Sequence, residues 1–284
     1  MHVDEGTGEC LASLIKLVDK TNKIFPVLYF DDFPDLANEL CDISDRILVR
    51  IPIPEDIEGG DYATIFSNLN EWYAGKKVSL DIVLDLGVVE NKKDANLLYA
   101  ELKNVLNTYI KDAEIFQKSI IAVTSFPENL SQLSAGESVL FDRLDIVIFK
   151  KIMQHRGLES IKNHLYFSDY GVSKFTETEI DFSKLRYGIM PKAKYTTSEK
   201  YWVLKGAKNH LTKKWIKDHK AIALEILNSP YYYREDFSFG DLEIMERANS
   251  LNGKGPGNNT NWVTIDTNHH IAVVIEELSK IYGS

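Results

Sequence analysis

Short apolar runs alternate with amphipathic segments along residues 1–171. The runs are rich in β-branched and aromatic residues, which is typical of buried strands. The amphipathic segments carry apolar residues at i, i+3, i+4 and i+7, which predicts helices with one buried face. The predicted strands are Phe25–Phe30, Arg46–Ile53, Ser79–Gly87, Ser119–Pro127 and His164–Gly171, the last running into a polar turn. The predicted helices are Cys10–Thr21, Phe33–Cys41, Tyr62–Tyr73, Ala95–Tyr109 and Val139–His155.

This alternation favours parallel strands joined by helical crossovers, in either a barrel or an open doubly wound sheet. The first strand, Phe25–Phe30, is apolar without alternation, so we expect it to be covered on both faces. Because a helix and not a strand precedes it, we expect it to lie at an edge of the sheet. An edge of this kind invites pairing with a second subunit, a partner protein or the N-terminal segment folding back.

The pattern changes after Gly171. Strands are predicted at Leu185–Met190 and Tyr201–Leu204, helices at Lys213–Leu227 and Leu242–Ala248, and a flexible glycine-rich loop at Asn249–Asn261. We interpret residues 1–284 as a single barrel-like α/β domain in which residues 207–260 form an insertion-like segment.

The final segment is predicted to be a strand, Trp262–Ile265, a polar turn, Asp266–Asn268, and a helix from Ile271 to Ile281. This interpretation places His269 and His270 at a helix N-terminus, where free backbone amides favour an anion.

The composition excludes several classes of protein. A net charge of -9 and a pI near 5.4 argue against general nucleic-acid binding but allow a small anionic ligand. Cys10 and Cys41 have no paired spacing, so the sequence predicts neither a disulfide framework nor a thiolate zinc site. There is no basic start followed by an apolar run, and no apolar stretch reaches about 18 residues, so we expect a cytoplasmic protein without membrane spans.

Polar side chains follow several predicted strands. Asp85, Ser125 and Asp169 each end one, and the carboxyl ends of parallel strands meet on one face of a barrel. We therefore expect these three residues to share a cavity with His269 or His270. In the alternative interpretation, the two aspartates cap the helices that follow or pair with Arg50 and Arg143.

The two adjacent histidines could bind phosphate, exchange protons, cap a helix or hold a metal. A metal is disfavoured, because neighbouring helix positions diverge by about 100° and neither histidine has an acidic or histidine partner at i+4. Ser125 lacks the Gly-x-Ser-x-Gly context of a nucleophile elbow. No metal site is predicted, and the sequence identifies no cofactor.

Three other segments have simpler explanations. Gly253–Gly257 lacks the spacing of a phosphate-binding loop and precedes a predicted strand, so we interpret it as a connection. The aromatic residues of Tyr231–Phe239 favour core packing or a protein interface over base stacking. The basic cluster of Lys205, Lys208 and Lys213–Lys214 is typical of a solvated face.

Several short motifs, taken in their order along the chain, resemble the Beta protein family. They are Thr124–Pro127, Arg143, Ser168–Gly171, Lys194–Thr196 with Trp202, Lys205–Gly206, Phe237–Asp241, Trp262 and Thr267–His270. The resemblance implies a TIM-barrel-like fold and an association with phages, prophages and bacterial defence loci, without a settled reaction. This chain departs from the family at its front, where relatives begin with further strands, and at Lys194, where relatives are expected to carry arginine.

These observations lead to a functional hypothesis with one alternative. We expect a phage- or phage-defence-related binding or regulatory protein that has a polar pocket at the carboxyl ends of its strands and works with a protein partner. The alternative is a hydrolase or phosphodiesterase acting on a phosphorylated or nucleotide ligand. The candidate catalytic residues are Asp85, Asp169, His269 and His270. The candidate ligand-binding residues are Arg50, Ser125, Arg143, Tyr170, Lys194, Lys205 and Asp241.

Overall fold

The computed structural model describes residues 25–54, 61–127, 130, 133–172 and 190–283. The helix predicted at Cys10–Thr21 lies outside the described residues, as does the strand predicted at Leu185–Met190 apart from its last residue.

Strands and helices alternate through the first part of the described chain, as predicted. The strands are β1 (Val27–Tyr29), β2 (Arg46–Pro52), β3 (Ser79–Val88), β4 (Phe116–Thr124), β5 (Ser138–Asp142), β6 (Leu165–Ser168), β7 (Lys192–Thr196), β8 (Lys200–Lys205), β9 (Ala207–Lys208) and β10 (Trp215–Lys217). The helices are α1 (Phe33–Leu40), α2 (Tyr62–Tyr73), α3 (Lys92–Val105), α4 (Leu144–Met153), α5 (His219–Leu227), α6 (Phe239–Asn249) and α7 (Asn259–Tyr282). A π-helical segment, Leu106–Ile110, continues α3, and a 3-10 segment, Arg156–His164, precedes β6.

The chain divides into two compact units. The first contains Met1–Val123 and Val147–Asp169, and the second contains Thr124–Ile146 and Tyr170–Ser284. Neither unit is continuous in sequence, because the chain passes between them after residues 123, 146 and 169.

A five-stranded parallel sheet with the order β1-β2-β3-β4-β6 forms the first unit. This confirms the α/β class and the parallel strands. The described strands form an open sheet, and no closed barrel is found among the described residues. The TIM-barrel-like arrangement and the single barrel-like domain therefore stay predictions.

Strand β2 shows how alternating residues give the sheet two different faces. Ile47, Val49 and Ile51 are fully buried on one face, whereas Arg46 and Arg50 are half-buried on the other. Successive side chains of a strand point to opposite faces, so this alternation gives β2 one apolar and one polar face.

Strand β1 lies at one end of the sheet, as the sequence predicts for Phe25–Phe30. The expectation that it is covered on both faces is wrong for the described residues. Leu28 is buried, but Val27 is 52% exposed and Tyr29 is 47% exposed. The run looks continuous in sequence only because the residues on its open face are also apolar.

The helices of the first unit begin at recognisable caps. Helix α2 has the predicted bounds, and the Asp61 side chain accepts a hydrogen bond from the Thr64 amide. Helix α3 begins three residues before the predicted Ala95, because the Asn91 side chain accepts hydrogen bonds from the Lys93 and Asp94 amides. Both caps satisfy amides that a helix leaves unpaired in its first turn.

The second unit contains an antiparallel sheet, β5-β8-β7, and a small ladder, β9-β10. Helices α5, α6 and α7 pack with it around an apolar cluster. The buried members of this cluster are Ala193, Tyr195, Trp202, Leu204, Ile222, Ala223, Ile226, Ile244, Ala248, Trp262 and Ile265.

The prediction of one helix over Val139–His155 is wrong in its first part. Ser138–Asp142 forms β5, which pairs antiparallel with β8, and α4 begins only at Leu144. Helical spacing cannot reveal a partner strand about 60 residues away, because strand pairing is a tertiary property.

The helix predicted at Lys213–Leu227 is also too long. Trp215–Lys217 forms β10, and α5 begins at His219, where the Asp218 side chain caps the Ala221 amide. The cap was readable in the sequence, since aspartate immediately before an apolar periodic run is a helix-start signal.

The largest correction concerns the end of the chain. Asn259–Tyr282 is one continuous helix, so Trp262–Ile265 is not a strand, and His269 and His270 lie in the helix interior. Asn258 and Asn261 form a reciprocal capping box that begins the helix well before Asp266. None of the described helices is both long enough and apolar enough to cross a lipid bilayer.

We predict that Asn258→Ala lowers the free energy of unfolding by about 1 kcal/mol, the usual cost of losing an N-cap side chain. Thr260→Ala is the matched control, since Thr260 is exposed in the same first turn. Urea titration monitored by circular dichroism measures both variants. Equal stability of the two would show that the capping box does not hold this helix end.

Candidate functional site

Asp85 lies near the carboxyl end of β3 and forms an ion pair with Arg50 of β2. The Arg50 Nε donates to Asp85 Oδ2 at 2.8 Å, and Nη2 donates to the same oxygen. The other carboxylate oxygen, Oδ1, accepts from the Gly87 amide at 3.0 Å. Both oxygens of Asp85 therefore have protein partners, as in the ion-pair alternative of the sequence interpretation.

A second arginine–aspartate pair repeats this arrangement four residues earlier on both strands. Arg46 donates to Asp81 at 2.6 Å, and the Asp81 side chain is almost fully buried. Positions i and i+4 of a strand share a face, so the two pairs form a charge ladder along one face of the sheet. Arg50 also donates to the Tyr29 hydroxyl at 3.0 Å.

Asp169 directly follows β6, which runs parallel to β4. Since the strands of the sheet are parallel, Asp85 and Asp169 lie toward the same carboxyl edge. Ser125, Tyr170 and the two histidines belong to the second unit. The shared cavity predicted for Asp85, Asp169, Ser125 and the histidines stays a prediction.

Within the second unit, Ser125 and Arg143 meet around Asp145. The Asp145 amide donates to Ser125 Oγ at 3.3 Å, and the Ser125 hydroxyl donates to the Asp142 carbonyl at 3.2 Å. Arg143 Nε lies 4.0 Å from Asp145 Oδ1, and both side chains are fully buried. The Ser125 hydroxyl thus lies among backbone groups and shows no contact with a histidine.

Arg143 is the buried cation of this cluster. Its Nη1 donates to Glu277 Oε2 at 2.5 Å and to the Thr197 carbonyl at 2.9 Å, and its guanidinium lies over the Tyr201 ring. Burial alone would lower the pKa of Arg143, but Asp145, Tyr201 and Glu277 together raise it above its usual value. The arginine stays charged and ties the start of α4 to the end of α7.

Asp241, at the start of α6, is the centre of a second buried network. It accepts hydrogen bonds from the Tyr195 hydroxyl at 2.6 Å and from the Ser238 hydroxyl at 2.5 Å. His269 Nδ1 lies 2.8 Å from Asp241 Oδ2, and His269 Nε2 lies 2.7 Å from the Thr196 carbonyl. A carbonyl only accepts, so Nε2 donates to it, and Nδ1 forms the hydrogen bond with the Asp241 carboxyl group.

His269 therefore has both ring nitrogens bound to protein groups. Its ring stacks on Tyr195 with centroids 3.9 Å apart, and Tyr233 and Phe237 approach it from other sides. Gly240 allows this close crossing of α6 and α7, because a Cβ there would lie 2.6 Å from the Ile265 carbonyl. These contacts indicate that His269 has a structural role, in which it holds its neighbours in position.

His270 is also buried, and its Nδ1 lies 3.0 Å from the Thr196 hydroxyl. Adjacent positions of a helix point about 100° apart, yet both histidines contact Thr196, His269 through the carbonyl and His270 through the hydroxyl. Among the described residues, no group of three or more histidine, cysteine, aspartate and glutamate side chains is arranged to hold a metal ion.

Helix α7 closes the free edge of β7. Strand β7 is an outer strand among the described strands of its sheet, and none of these bonds to the Lys194 amide or the Thr196 carbonyl. The Asp266 carboxyl accepts a hydrogen bond from the Lys194 amide, and His269 donates to the Thr196 carbonyl. The two α7 side chains, three positions apart, replace the hydrogen bonds of a neighbouring strand.

The same burial changes the acid–base properties of this edge. Burial raises the pKa of Asp266 to about 8, although the Lys194 amide and ammonium group oppose the shift. Burial also lowers the pKa of Lys194, against the effect of Asp266. Burial therefore favours the protonated form of the Asp266 carboxyl.

A pocket of about 500 Å³ lies beside this network. It is lined by Leu140, Thr197, Ser198, Glu199, Lys200, Pro230, Tyr231, Tyr232 and Tyr233. The Tyr232 hydroxyl donates to the Asp241 carbonyl at 2.9 Å, and the Tyr233 amide donates to the Tyr195 hydroxyl at 2.9 Å. The Asp241 network thus holds the backbone and side chains of the tyrosine run in place.

The sequence pointed to Asp241 and His269 but not to Tyr195, Asp266 and Glu277, which complete the buried hydrogen-bond networks. One feature of the sequence could have identified Asp266 and Glu277. Residues 262, 265, 266, 269, 273 and 277 are all buried and follow helical spacing, as on the inner face of one long helix. Polar residues on such a face need buried partners.

The described structure is that of an α/β protein with a parallel sheet in one unit and a buried carboxylate–histidine network under a tyrosine-lined pocket in the other. The Beta protein family model matches residues 15–276, and the chain therefore belongs to the Beta protein family. No curated protein and no solved structure matches the chain.

We predict that Asp266→Asn changes the pH dependence of stability. An acid whose pKa is higher in the folded than in the unfolded state makes stability fall as pH rises from its unfolded value, near 4, to its folded value of about 8. Asparagine still offers an acceptor oxygen to the Lys194 amide but cannot ionise. Between pH 5 and 8, the wild type should therefore lose at least about 1 kcal/mol more stability than the variant.

Chemical denaturation at several pH values measures this difference. Glu276→Gln is the control, because Glu276 lies on the same helix with its side chain 40% exposed. Parallel stability curves for the wild type and Asp266→Asn would contradict the assignment.

Proposed function

We propose that this protein is a binding or regulatory module that takes a segment of a partner protein into the tyrosine-lined pocket. It would act in the cytoplasm, in the phage or phage-defence setting that the family resemblance implies. The observation that carries the proposal is the run Tyr231–Tyr233, which lines an open pocket and is fixed from behind by the Asp241 network.

The lining has the chemistry of a protein-binding surface. Tyrosine offers a large contact area with few rotatable bonds and a polar end, and it is enriched in the energetic centres of interfaces. Tyr231 is 37% exposed and packs against Trp202 with ring centroids 5.3 Å apart. Leu140 adds 40% exposed apolar surface beside it. A volume of about 500 Å³ is large enough for one or two side chains of a partner.

The pocket also offers polar and charged groups for specificity. Glu199 and Lys200 lie in its lining, and Lys200 forms an ion pair with Asp142 in which both side chains are over one-third exposed. Exposed pairs of this kind contribute little to stability and can exchange partners. A partner segment with an apolar anchor beside a charged side chain would match this combination.

Buried groups support binding over catalysis. Asp85 has partners on both carboxylate oxygens, and His269 has partners on both ring nitrogens. A general base needs a lone pair within reach of its substrate. Two finer proposals come from the sequence: a TIM-barrel-like fold and a polar ligand pocket at the carboxyl ends of the strands. The parallel sheet and its Arg50–Asp85 pair are the observations that support them.

We predict that peptides selected from a displayed random library will bind the wild type through this pocket. Tyr231→Ala and Leu140→Ala should each weaken the selected peptides about tenfold or more, because each removes exposed apolar contact area at the mouth. Fluorescence anisotropy with the purified chain measures the affinities.

Tyr282→Ala is the matched control, since Tyr282 is 44% exposed at the end of α7 and is not part of the pocket lining. Failure to select any peptide, or selected peptides that bind Tyr231→Ala as well as the wild type, would overturn the proposal.

The hydrolase or phosphodiesterase alternative makes a different demand. An enzyme of this class without a thiol or serine elbow needs a metal ion or a tuned carboxylate pair. Phosphodiester substrates should be screened with and without divalent ions, on the wild type and on Asp85→Ala. We expect no turnover; turnover that Asp85→Ala abolishes would favour the enzyme.

The outer strand β1 is a second proposed contact. The Phe30 amide already donates to the Arg50 carbonyl of β2 at 3.1 Å. We predict that the amides within Val27–Phe30 that face away from β2 are also protected from hydrogen exchange, either by a second subunit or partner or by the N-terminal segment. Hydrogen-exchange mass spectrometry combined with light scattering tests this. If the protein is strictly monomeric and these amides exchange fast, then neither a second chain nor the N-terminal segment covers the strand.

A further inference from the structure

Three lysines lie together on one face of the β7–β8 ladder. Lys192 and Lys205 are directly opposite each other in the antiparallel register, and Lys194 lies two residues further along β7. Side chains at i and i+2 of a strand share a face, and so do residues opposite each other across a ladder. We call Lys192, Lys194 and Lys205 the lysine face.

The ammonium groups of Lys194 and Lys205 lie beside apolar residues and bond to backbone carbonyls. The Lys194 ammonium lies 5.3 Å from the centre of the Phe126 ring and donates to the Val172 carbonyl at 2.5 Å. The Lys205 ammonium donates to the Leu133 carbonyl at 2.6 Å. Phe126, Val172 and Leu133 belong to one buried apolar cluster, so the lysine ends are held at its border.

The backbone carbonyls position these ammonium groups without neutralising them. Each ammonium group has three N–H donors, so Lys194 and Lys205 have donors left after these contacts. Lys192 is half-buried, and no hydrogen bond or ion pair of its ammonium group is found within the described residues. Directly opposed like charges destabilise a ladder.

No carboxylate forms an ion pair with the lysine face in the part of the chain that the structure describes. Among the described residues, the carboxyl that acts electrostatically on Lys194 is Asp266, and burial favours its protonated form. Burial, and then the charge of Lys205, lower the pKa of Lys192. The strand register thus concentrates three lysine side chains here, although the whole chain carries a net charge of -9.

We propose that the lysine face binds a phosphoryl group of a small anionic ligand. Half-buried ammonium groups that have free donors and no ion pair with a carboxylate of the described residues are suited to a multiply charged anion, which would relieve their mutual repulsion. The net negative charge of the chain disfavours a long polyanion such as nucleic acid, so the ligand is a small phosphorylated molecule. Because none of the three lysines lines the tyrosine pocket, this site is independent of the partner-binding proposal.

We predict that pyrophosphate binds the wild type in isothermal titration calorimetry at constant ionic strength and pH 7. Lys192→Gln should weaken binding at least tenfold, because it removes the ammonium group for which no hydrogen bond or ion pair is found within the described residues. Lys214→Gln, which removes the same charge from an exposed position of the same unit, should bind as the wild type does. Acetate, which is singly charged, should bind at least tenfold more weakly than pyrophosphate.

A second measurement does not depend on a variant that folds. Acylation of lysines by a dilute activated ester, followed by peptide mass spectrometry, should modify Lys192 readily, and pyrophosphate should slow its modification at least threefold while Lys214 is unaffected. Absence of pyrophosphate binding, equal affinity of Lys192→Gln and the wild type, or unprotected Lys192 would each overturn the proposal. Peptide binding at the tyrosine pocket should be the same in Lys192→Gln and the wild type.

Discussion

The free edge of β7 is the constraint on which the second unit depends. A buried strand edge with unpaired backbone groups is costly, and no further strand of the described residues covers it. Asp266 and His269 of α7 provide the acceptor and the donor that a neighbouring strand would provide. The helix must therefore lie along the strand in one register. This explains why polar residues occupy the inner face of α7.

The geometry of the tyrosine pocket follows from that register. His269, once fixed by the Thr196 carbonyl, places its other nitrogen against Asp241, and Asp241 in turn receives the Tyr195 and Ser238 hydroxyls. Tyr195 then accepts from the Tyr233 amide. Each hydrogen bond is modest by itself, but a fully satisfied buried network specifies one arrangement. Asp241 and His269, which the sequence marked as candidate site residues, thus hold the lining of the tyrosine pocket in place.

The charged residues of the two units are arranged in contrasting ways. On the parallel sheet, Arg46 and Arg50 each pair with an aspartate, so charges on that face are balanced. On the lysine face, hydrogen bonds to carbonyls hold two of the ammonium groups, and their charge is not balanced by a carboxylate among the described residues. A partly buried charge without an oppositely charged neighbour needs a counter-ion, whereas a charge that is paired within the protein needs no further ligand. This difference separates a structural charge cluster from a candidate binding site.

The sequence by itself determined the local elements. Periodicity gave the alternating strands and helices of the first unit, with α2 correct to the residue, because burial on one face leaves a periodic trace. The order of short motifs gave the family. Only the tertiary structure decided that Ser138–Asp142 is a strand, that α7 is one helix, and that Asp241, Tyr195 and His269 form the support of the pocket. These outcomes depend on partners distant in sequence, and local pattern carries no information about which distant group will satisfy a buried polar atom.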